Sequence, residues 1–237
     1  MIQPCVIRKI ERPAPDLVRA LSDYGVATIH EAYRQQGLMR PEIRPVVPGR
    51  RVCGPAVTSL NHPGDNLMLH VAIEVSQPGD IIVVATKAPS TDGMLGELIA
   101  TQCKARGLSA VILDAGVRDS ADLNAMDFPV WARAISAAGT SKANPGWVNV
   151  PVVCGGVTVN PGDLVVADDD GVVVVGRSDA AAVLEASRAR TEKEALSRSR
   201  YERGEISLDV NNLRAILTQL GVKYFETADE AQGRPAK

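Results

Sequence analysis

The stretch GMLGELIATQCKARGLSAVILDAGVRDSADL, residues 93–123, decides the fold class of this chain. Its first part predicts a helix that ends at Gly107, and the apolar run AVILD at 110–114 predicts a buried strand. Further apolar runs lie on either side, DIIVVA at 80–85 and FPVWARA at 128–134. Strand, helix and strand in this order are typical of a βαβ crossover between parallel strands. We therefore expect an α/β fold.

The geometry of this crossover should bring three charged residues together. The helix from Glu97 to Arg106 would run about 15 Å. The strand AVILD would return about 16 Å in the opposite sense. The start of the helix and the loop after the strand then share the carboxyl edge of the sheet, where open α/β sheets bind ligands. We expect Glu97, Arg118 and Asp119 to be neighbours there, although twenty residues separate Glu97 from Arg118.

These residue types suit the binding of an α-keto acid. Gly93 and Gly96 leave backbone amides exposed at the start of the helix, which favours an anion. Arg118 offers a planar fork for a carboxylate, and the oxygens of Asp119 and Glu97 suit Mg²⁺ or Mn²⁺. The metal would polarise the keto oxygen, and the arginine would stabilise the enolate. A surface salt-bridge cluster would use the same residues, so spacing alone leaves both interpretations open.

Composition excludes several classes of protein. The chain has 237 residues, enough for one large domain or two small ones, with 45% apolar and 23% charged residues. Aromatic residues make up 3% and the net charge is -2, which argues against a nucleic-acid partner. No apolar run is long enough for a membrane span or suited to a signal peptide. Four scattered cysteines, Cys5, Cys53, Cys103 and Cys154, predict free thiols in a reducing compartment, so we expect a cytoplasmic protein.

Three local patterns outside the central stretch also predict structure. Residues 14–37 should be helical, with Thr28 and Glu31 spaced as a capping box. Pro-Gly-Asp occurs at 78–80 and again at 161–163, each time before an aliphatic strand, as a weak internal repeat or as reused turn chemistry. The acidic sequence at 167–171 should form a hairpin turn.

The character of the chain changes after residue 176. A long, highly charged helix should end near Gly204, and a shorter amphipathic helix should follow at 209–222. A helix that is charged on nearly all sides suits a solvated arm or a neighbouring subunit better than its own core. We therefore divide the chain into a main domain at 1–176 that includes the N-terminal helices, C-terminal helices at 177–225 that would pack on a neighbouring subunit, and a disordered tail at 226–237.

Glu97 is followed after twenty residues by Arg118-Asp119. This spacing resembles the signature of class II pyruvate aldolases of the RraA-like superfamily. YGVATIHEA, PGDNLMLHVAIE, GDIIVVA, DAGVRD, FPVWA and VNVPVVCGGVTVNPGDLVVADDDGVVVV are also similar to that family. The likeness extends from about residue 6 to residue 225. It implies a swivelling β/β/α domain with helical N- and C-terminal segments, assembled as a homotrimer or hexamer with active sites between subunits.

The resemblance also implies an activity. Members of that family cleave 4-carboxy-4-hydroxy-2-oxoadipate or 4-hydroxy-4-methyl-2-oxoglutarate to pyruvate and a second 2-oxo acid, which is oxaloacetate or pyruvate. They also decarboxylate oxaloacetate, and their context is the bacterial degradation of protocatechuate or gallate. Two alternatives stay open: a non-enzymatic RraA-like regulator that binds an RNA-degrading enzyme, and a dedicated oxaloacetate decarboxylase.

The resemblance assigns roles to individual residues. Asp119 would coordinate Mg²⁺ or Mn²⁺ directly, while Glu97 and Glu194 would reach it through water. Glu194 would come from the C-terminal helix of an adjacent subunit, with Glu192 as its rival. Arg118 would hold the keto oxygen. Arg118 and Glu31 would be the catalytic residues, with Glu31 as a proton carrier. The substrate-binding residues would be Gly96, Glu97, Leu98, Ile99 and Arg118, and the amides of Leu98 and Ile99 would take the carboxylate.

Overall fold

The computed structural model describes residues 3–233. Its helices are α1 (Pro15–Ser22), α2 (Val26–Ala32), α3 (Leu67–Val75), α4 (Glu97–Ala105), α5 (Ser120–Met126), α6 (Ala180–Glu202), α7 (Ser207–Val210), α8 (Leu213–Gln219) and α9 (Ala228–Ala231). Its strands are β1 (Cys5–Val6), β2 (Arg44–Pro45), β3 (Val52–Asn61), β4 (Ile81–Thr86), β5 (Gly93–Leu95), β6 (Ala110–Val117), β7 (Val130–Ile135), β8 (Trp147–Val148), β9 (Val152–Cys154), β10 (Val157–Val159), β11 (Leu164–Asp168) and β12 (Gly171–Val175). No helix among these is long and apolar enough to cross a membrane.

Four parallel strands form the centre of the main sheet in the order β3, β4, β6, β7. Helix α3 connects the first pair, β5 and α4 connect the second, and α5 connects the third. Successive parallel strands joined by helices place all four carboxyl ends at one edge of the sheet. The α/β fold expected from the central stretch is therefore confirmed.

Strand β3 belongs to two sheets. Its first half pairs antiparallel with β11, and its second half pairs parallel with β4. Strand β12 extends the second sheet as the antiparallel partner of β11. The hairpin predicted at 167–171 is thus confirmed, since Asp168 pairs with Gly171.

In residues 3–188, three apolar clusters lie between four layers of secondary structure. One cluster joins α3, α4 and α5 to one face of the main sheet, with Ala100, Val111 and Leu113 among its members. The second fills the space between the two sheets and includes Ile112 and Trp131. The third packs α1, α2 and the start of α6 on the outer face of β11 and β12. The order is helices, sheet, sheet, helices, which contains the expected β/β/α layers.

The Pro-Gly-Asp turns at 78–80 and 161–163 share one mechanism. Gly79 and Gly162 have φ of +90° and +86°, a region that glycine enters without steric cost. Asp80 and Asp163 each accept a hydrogen bond from the amide three residues earlier, at 2.7 and 2.8 Å. The turn chemistry accounts for the shared Gly and Asp, and internal duplication stays an untested alternative.

The capping box expected at Thr28 and Glu31 is wrong. Helix α2 begins two residues earlier, at Val26, and the amide of Val26 donates to the carboxylate of Asp168 at 2.9 Å. The helix is capped from the distant β11–β12 turn, a contact that local spacing does not reveal.

The chain divides into two compact units at the junction of Arg188 and Ala189. The sequence places this change at residue 176, but Ala180, Val183 and Leu184 on the first turns of α6 are buried in the third cluster. In the second unit no described residue is buried. Large apolar side chains are instead exposed there: Leu196, Tyr201, Ile206, Ile216, Leu220, Val222, Tyr224 and Phe225.

The C-terminal tail contains one short helix. Helix α9 lies within the 226–237 range that the sequence suggests is disordered, and residues 234–237 lie outside the described residues. The packing of the C-terminal helices on a neighbouring subunit stays a prediction.

The cap on α2 gives a first test. Asp168→Ala removes the acceptor for the Val26 amide, so it should lower the free energy of unfolding by about 1–2 kcal/mol. Asp170→Ala, at an exposed position of the same turn, should change it by less than about 0.5 kcal/mol. Urea unfolding of both variants checks this, and equal losses would contradict the assigned cap.

Candidate active site

The predicted meeting point lies at the carboxyl edge of the main sheet. Strand β5 pairs parallel with the end of β6, Gly93 opposite Gly116 and Leu95 opposite Val117. The amide of Arg118 donates to the carbonyl of Leu95 at 2.9 Å. This pairing sets the start of α4 directly beside the residues that follow β6.

Asp119 connects the two segments. Its Oδ2 accepts a hydrogen bond from the amide of Glu97 at 3.0 Å and lies 3.7 Å from Nε of Arg118. Asp119 has φ 56° and ψ 39°, a left-handed conformation that aspartate tolerates better than most residues. Its side chain is 40% exposed and that of Arg118 is 45% exposed, so both are open to solvent. Glu97, Arg118 and Asp119 are therefore neighbours, as their spacing predicts, while their roles stay predictions.

Gly96 is required by this close approach. A Cβ atom at that position would lie 2.3 Å from Oδ2 of Asp119 and 2.9 Å from Nε of Arg118. A contact under 3.0 Å forces the neighbour to move. The sequence identified Gly96 through its amide, whereas the structure shows that the missing side chain also makes room for both charged groups.

The first turn of α4 presents free donors. The amide of Glu97 is taken by Asp119, and the next hydrogen bond of the helix runs from Ala100 to Gly96. Among the described residues, the amides of Leu98 and Ile99 have no acceptor. Two such amides at a helix N-terminus can bind a carboxylate.

The carboxylates at this edge suit a hydrated divalent cation. Asp119 Oδ2 is engaged by the Glu97 amide, and Glu97 Oε1 accepts from the Thr101 hydroxyl at 2.8 Å. Within residues 3–233, the second oxygen of each carboxylate accepts no hydrogen bond. In the same residues, no group of three or more His, Cys, Asp or Glu is placed to hold a metal. Mg²⁺ usually keeps several waters and takes one or two carboxylates, so the donor set fits it.

Two other predicted site residues belong to helices α2 and α6. Glu31 is on α2, which packs outside β11 and β12, whereas α4 packs on the far face of the main sheet. Glu194 is on the part of α6 that belongs to the second unit, and its Oε1 lies 2.8 Å from Nε of Arg190. The role predicted for Glu31 therefore requires a neighbouring subunit, and the arrival of Glu194 from an adjacent subunit stays a prediction.

Sequence reasoning missed the segment after β7. The amide of Ser136 donates to the carbonyl of Val117 at 2.8 Å, and the amide of Gly93 donates to Ala138 at 2.9 Å. The carboxylate of Asp65 holds the other end of this segment. A third Pro-Gly-Asp sequence, at 63–65, was the available signal.

Comparisons with known proteins show which sequences and folds this chain resembles. Residues 26–174 match the sequence model of the family described as RraA-like: Aldolase/RraA. A protein of Halalkalibacterium halodurans, provisionally named 4-hydroxy-4-methyl-2-oxoglutarate aldolase, is 34% identical over 179 residues, which cover 75% of this chain and 82% of that protein.

Two solved structures share the fold. Streptomyces coelicolor RraAS2, described as an unusual member of the RNase ES inhibitor RraA protein family, has a TM-score of 0.72 and 32% identity, covering 80% of this chain and 100% of its own. The RNA-processing inhibitor RraA from Thermus thermophilis has a TM-score of 0.58 and 24% identity, covering 64% of this chain and 92% of its own. The second likeness shows the fold alone.

Gly96→Ala tests the geometry of this edge. The added methyl group would displace the Asp119 carboxylate and the Arg118 guanidinium, so the Kd for pyruvate in the presence of Mg²⁺ should rise about tenfold or more. Isothermal titration calorimetry measures the Kd, and thermal unfolding checks the fold. Asp170→Ala is the control; an unchanged Kd in folded Gly96→Ala would contradict the geometry.

Proposed function

Because this chain belongs to the RraA-like family, we propose that it is a divalent-metal-dependent aldolase. It would cleave 4-hydroxy-2-oxo acids, with 4-carboxy-4-hydroxy-2-oxoadipate or 4-hydroxy-4-methyl-2-oxoglutarate as substrate. The products would be pyruvate and a second 2-oxo acid. Such a reaction belongs to the breakdown of aromatic ring-cleavage products.

One observation carries the proposal. An arginine, two carboxylates and two free helix amides meet at the carboxyl edge of the sheet, within a chain 34% identical to a protein provisionally named as this aldolase. Each part matches one need of a 2-oxo acid. The amides of Leu98 and Ile99 would bind its carboxylate, and Arg118 would donate to its keto oxygen.

The chain's own residues account for charge stabilisation. When the bond between C3 and C4 breaks, negative charge moves onto the keto oxygen of the pyruvyl fragment. Arg118, whose Nε lies 3.7 Å from the Asp119 carboxylate, would stabilise that charge. A divalent cation held by Asp119, with Glu97 beyond a water, would supply Lewis-acid polarisation of the same oxygen.

The proton steps point to a second subunit. Cleavage removes the proton of the C4 hydroxyl group and later delivers one to C3. Glu31, the residue assigned to proton transfer by resemblance, lies on the opposite outer layer of its own chain. Its role therefore needs α2 of a neighbouring subunit, just as Glu194 would arrive on a neighbour's α6.

Exposed apolar side chains support such an assembly. Leu98 is 79% exposed on the first turn of α4, and Ile135 is 65% exposed at the end of β7. The second unit also exposes its apolar residues, as described above. Covering them in a homotrimer or hexamer would remove apolar surface from water and complete the site.

A non-enzymatic regulator is the second candidate. The 32% identity to RraAS2 over the full length of that protein favours it. Such a regulator needs a protein-binding surface and no turnover. A dedicated oxaloacetate decarboxylase would use the same residues, and a comparison of kcat/KM for oxaloacetate and for the aldol substrates separates those two enzymes.

Pyruvate release decides between enzyme and regulator. The purified protein with Mg²⁺ or Mn²⁺ should release pyruvate from 4-hydroxy-4-methyl-2-oxoglutarate, and a coupled assay with lactate dehydrogenase measures the pyruvate. EDTA should abolish pyruvate release until the metal is restored. Heat-denatured protein is the control. Absent turnover, or turnover that EDTA leaves unchanged, would reject the proposed activity.

Substitutions at the carboxyl edge of the sheet test the role of each site residue. Arg118→Ala should lower kcat on the order of 10²–10³-fold, because it removes a donor at the keto oxygen. Asp119→Asn, which tolerates the left-handed backbone, should lower metal affinity and turnover while preserving the fold. Asp122→Asn, exposed on α5, is the control. Near-normal turnover in either site variant would overturn its assigned role.

A further inference from the structure

We propose that Asp65 is a positioning residue, whose buried carboxylate holds residues 136–144 against the base of the active site. We name these residues the β7 loop. The loop leaves the end of β7 beside Arg118 and crosses the carboxyl edge of the sheet towards β3. The kinetic part of this proposal rests on the proposed aldolase function, whereas the structural part does not.

Asp65 is an unusual carboxylate because it is 1% exposed and fully engaged. Its Oδ2 accepts from the Ser141 hydroxyl at 2.7 Å, the Ala143 amide at 2.7 Å, and the amide and side chain of Asn144 at 3.0 and 3.2 Å. Its Oδ1 accepts from the Leu67 amide at 2.9 Å. Four donors on one oxygen all come from the β7 loop, although residues 141–144 themselves are exposed.

The other Pro-Gly-Asp turns show that this arrangement is not a requirement of the turn. Asp80 and Asp163 each accept from the amide that begins their own turn, at Gln77 and Asn160. Asp65 follows the same backbone turn, with its amide bonded to His62, but its carboxylate is turned towards the β7 loop. Asp80 and Asp163 use their carboxylates on their own turn and on Arg12 and Arg177, whereas the carboxylate of Asp65 holds the β7 loop.

The opposite end of the β7 loop lies on the active site. Ala138 accepts from the Gly93 amide, and a Cβ atom at Gly93 would lie 2.5 Å from the Ser136 carbonyl and 3.1 Å from Cβ of Arg118. Gly93 begins β5, which ends next to Gly96. A loop released at Asp65 would therefore loosen the support of β5 and of the Arg118 side chain.

The ionised state of Asp65 contributes to its hold on the β7 loop. Burial alone would raise the pKa of Asp65, but hydrogen bonds from the Ala143 and Leu67 amides, the Ser141 hydroxyl and the Asn144 amide hold it well below its usual range. The group is thus an acceptor with both oxygens at any working pH. An asparagine would turn an NH₂ group towards one of these donors.

Asp65→Asn tests the proposal against a matched control. Asp163→Asn also replaces a buried carboxylate of a Pro-Gly-Asp turn, one that accepts from the Asn160 and Arg177 amides. Both variants should lose stability. Hydrogen–deuterium exchange at residues 93–96 and 136–144, together with kcat and KM for pyruvate release, is measured for each at matched temperature below unfolding.

Only Asp65→Asn should speed exchange in both segments and lower kcat on the order of tenfold or more, with KM changed by less than about threefold. If it does not fold, Ser141→Ala combined with Asn144→Ala removes two exposed donors and should show the same pattern more weakly. Equal effects in the Asp163→Asn control, or slow exchange at 93–96 in the Asp65→Asn variant, would overturn the proposal. If the wild type releases no pyruvate, the aldolase function fails, and the exchange data alone decide the role of Asp65.

Discussion

The hydrogen bond from the Glu97 amide to the Asp119 carboxylate is the contact on which the site depends. It joins the start of α4 to the start of α5 and places a charged group at a helix N-terminus, where the dipole stabilises it. Asp119 adopts a left-handed backbone to make this contact, and Gly96 leaves room for it. Strain and a missing side chain at one point of a regular sheet are typical of a functional site.

Much of this could be predicted from the residues. The aliphatic runs at 80–85 and 110–114, with a helix between them, sufficed for parallel pairing, and the lengths of the helix and strand placed Glu97 beside Arg118. The same reasoning ended strand β6 at Asp114, three residues too early. Strand β5 supplies a partner for Gly116 and Val117, and a three-residue strand leaves too little periodicity to recognise in sequence.

Contacts between distant segments could not be predicted from the sequence. The cap on α2 comes from Asp168, and the loop after β7 is held by Asp65, in each case across more than seventy residues. Local propensity carries no information about such partners. Glu31 is a related case, because it lies on α2 in another layer of its own chain, and only the symmetry of an assembly could bring it to Arg118.

The central claim is that the edge formed by α4 and the end of β6 holds a divalent cation and a 2-oxo acid side by side. A crystal grown with Mn²⁺ and pyruvate tests it most directly, through anomalous scattering from the metal. The account predicts Mn²⁺ on the carboxylate of Asp119, with the pyruvate carboxylate on the amides of Leu98 and Ile99 and its keto oxygen facing Arg118. Manganese bound at another place, or pyruvate absent from the first turn of α4, would contradict it.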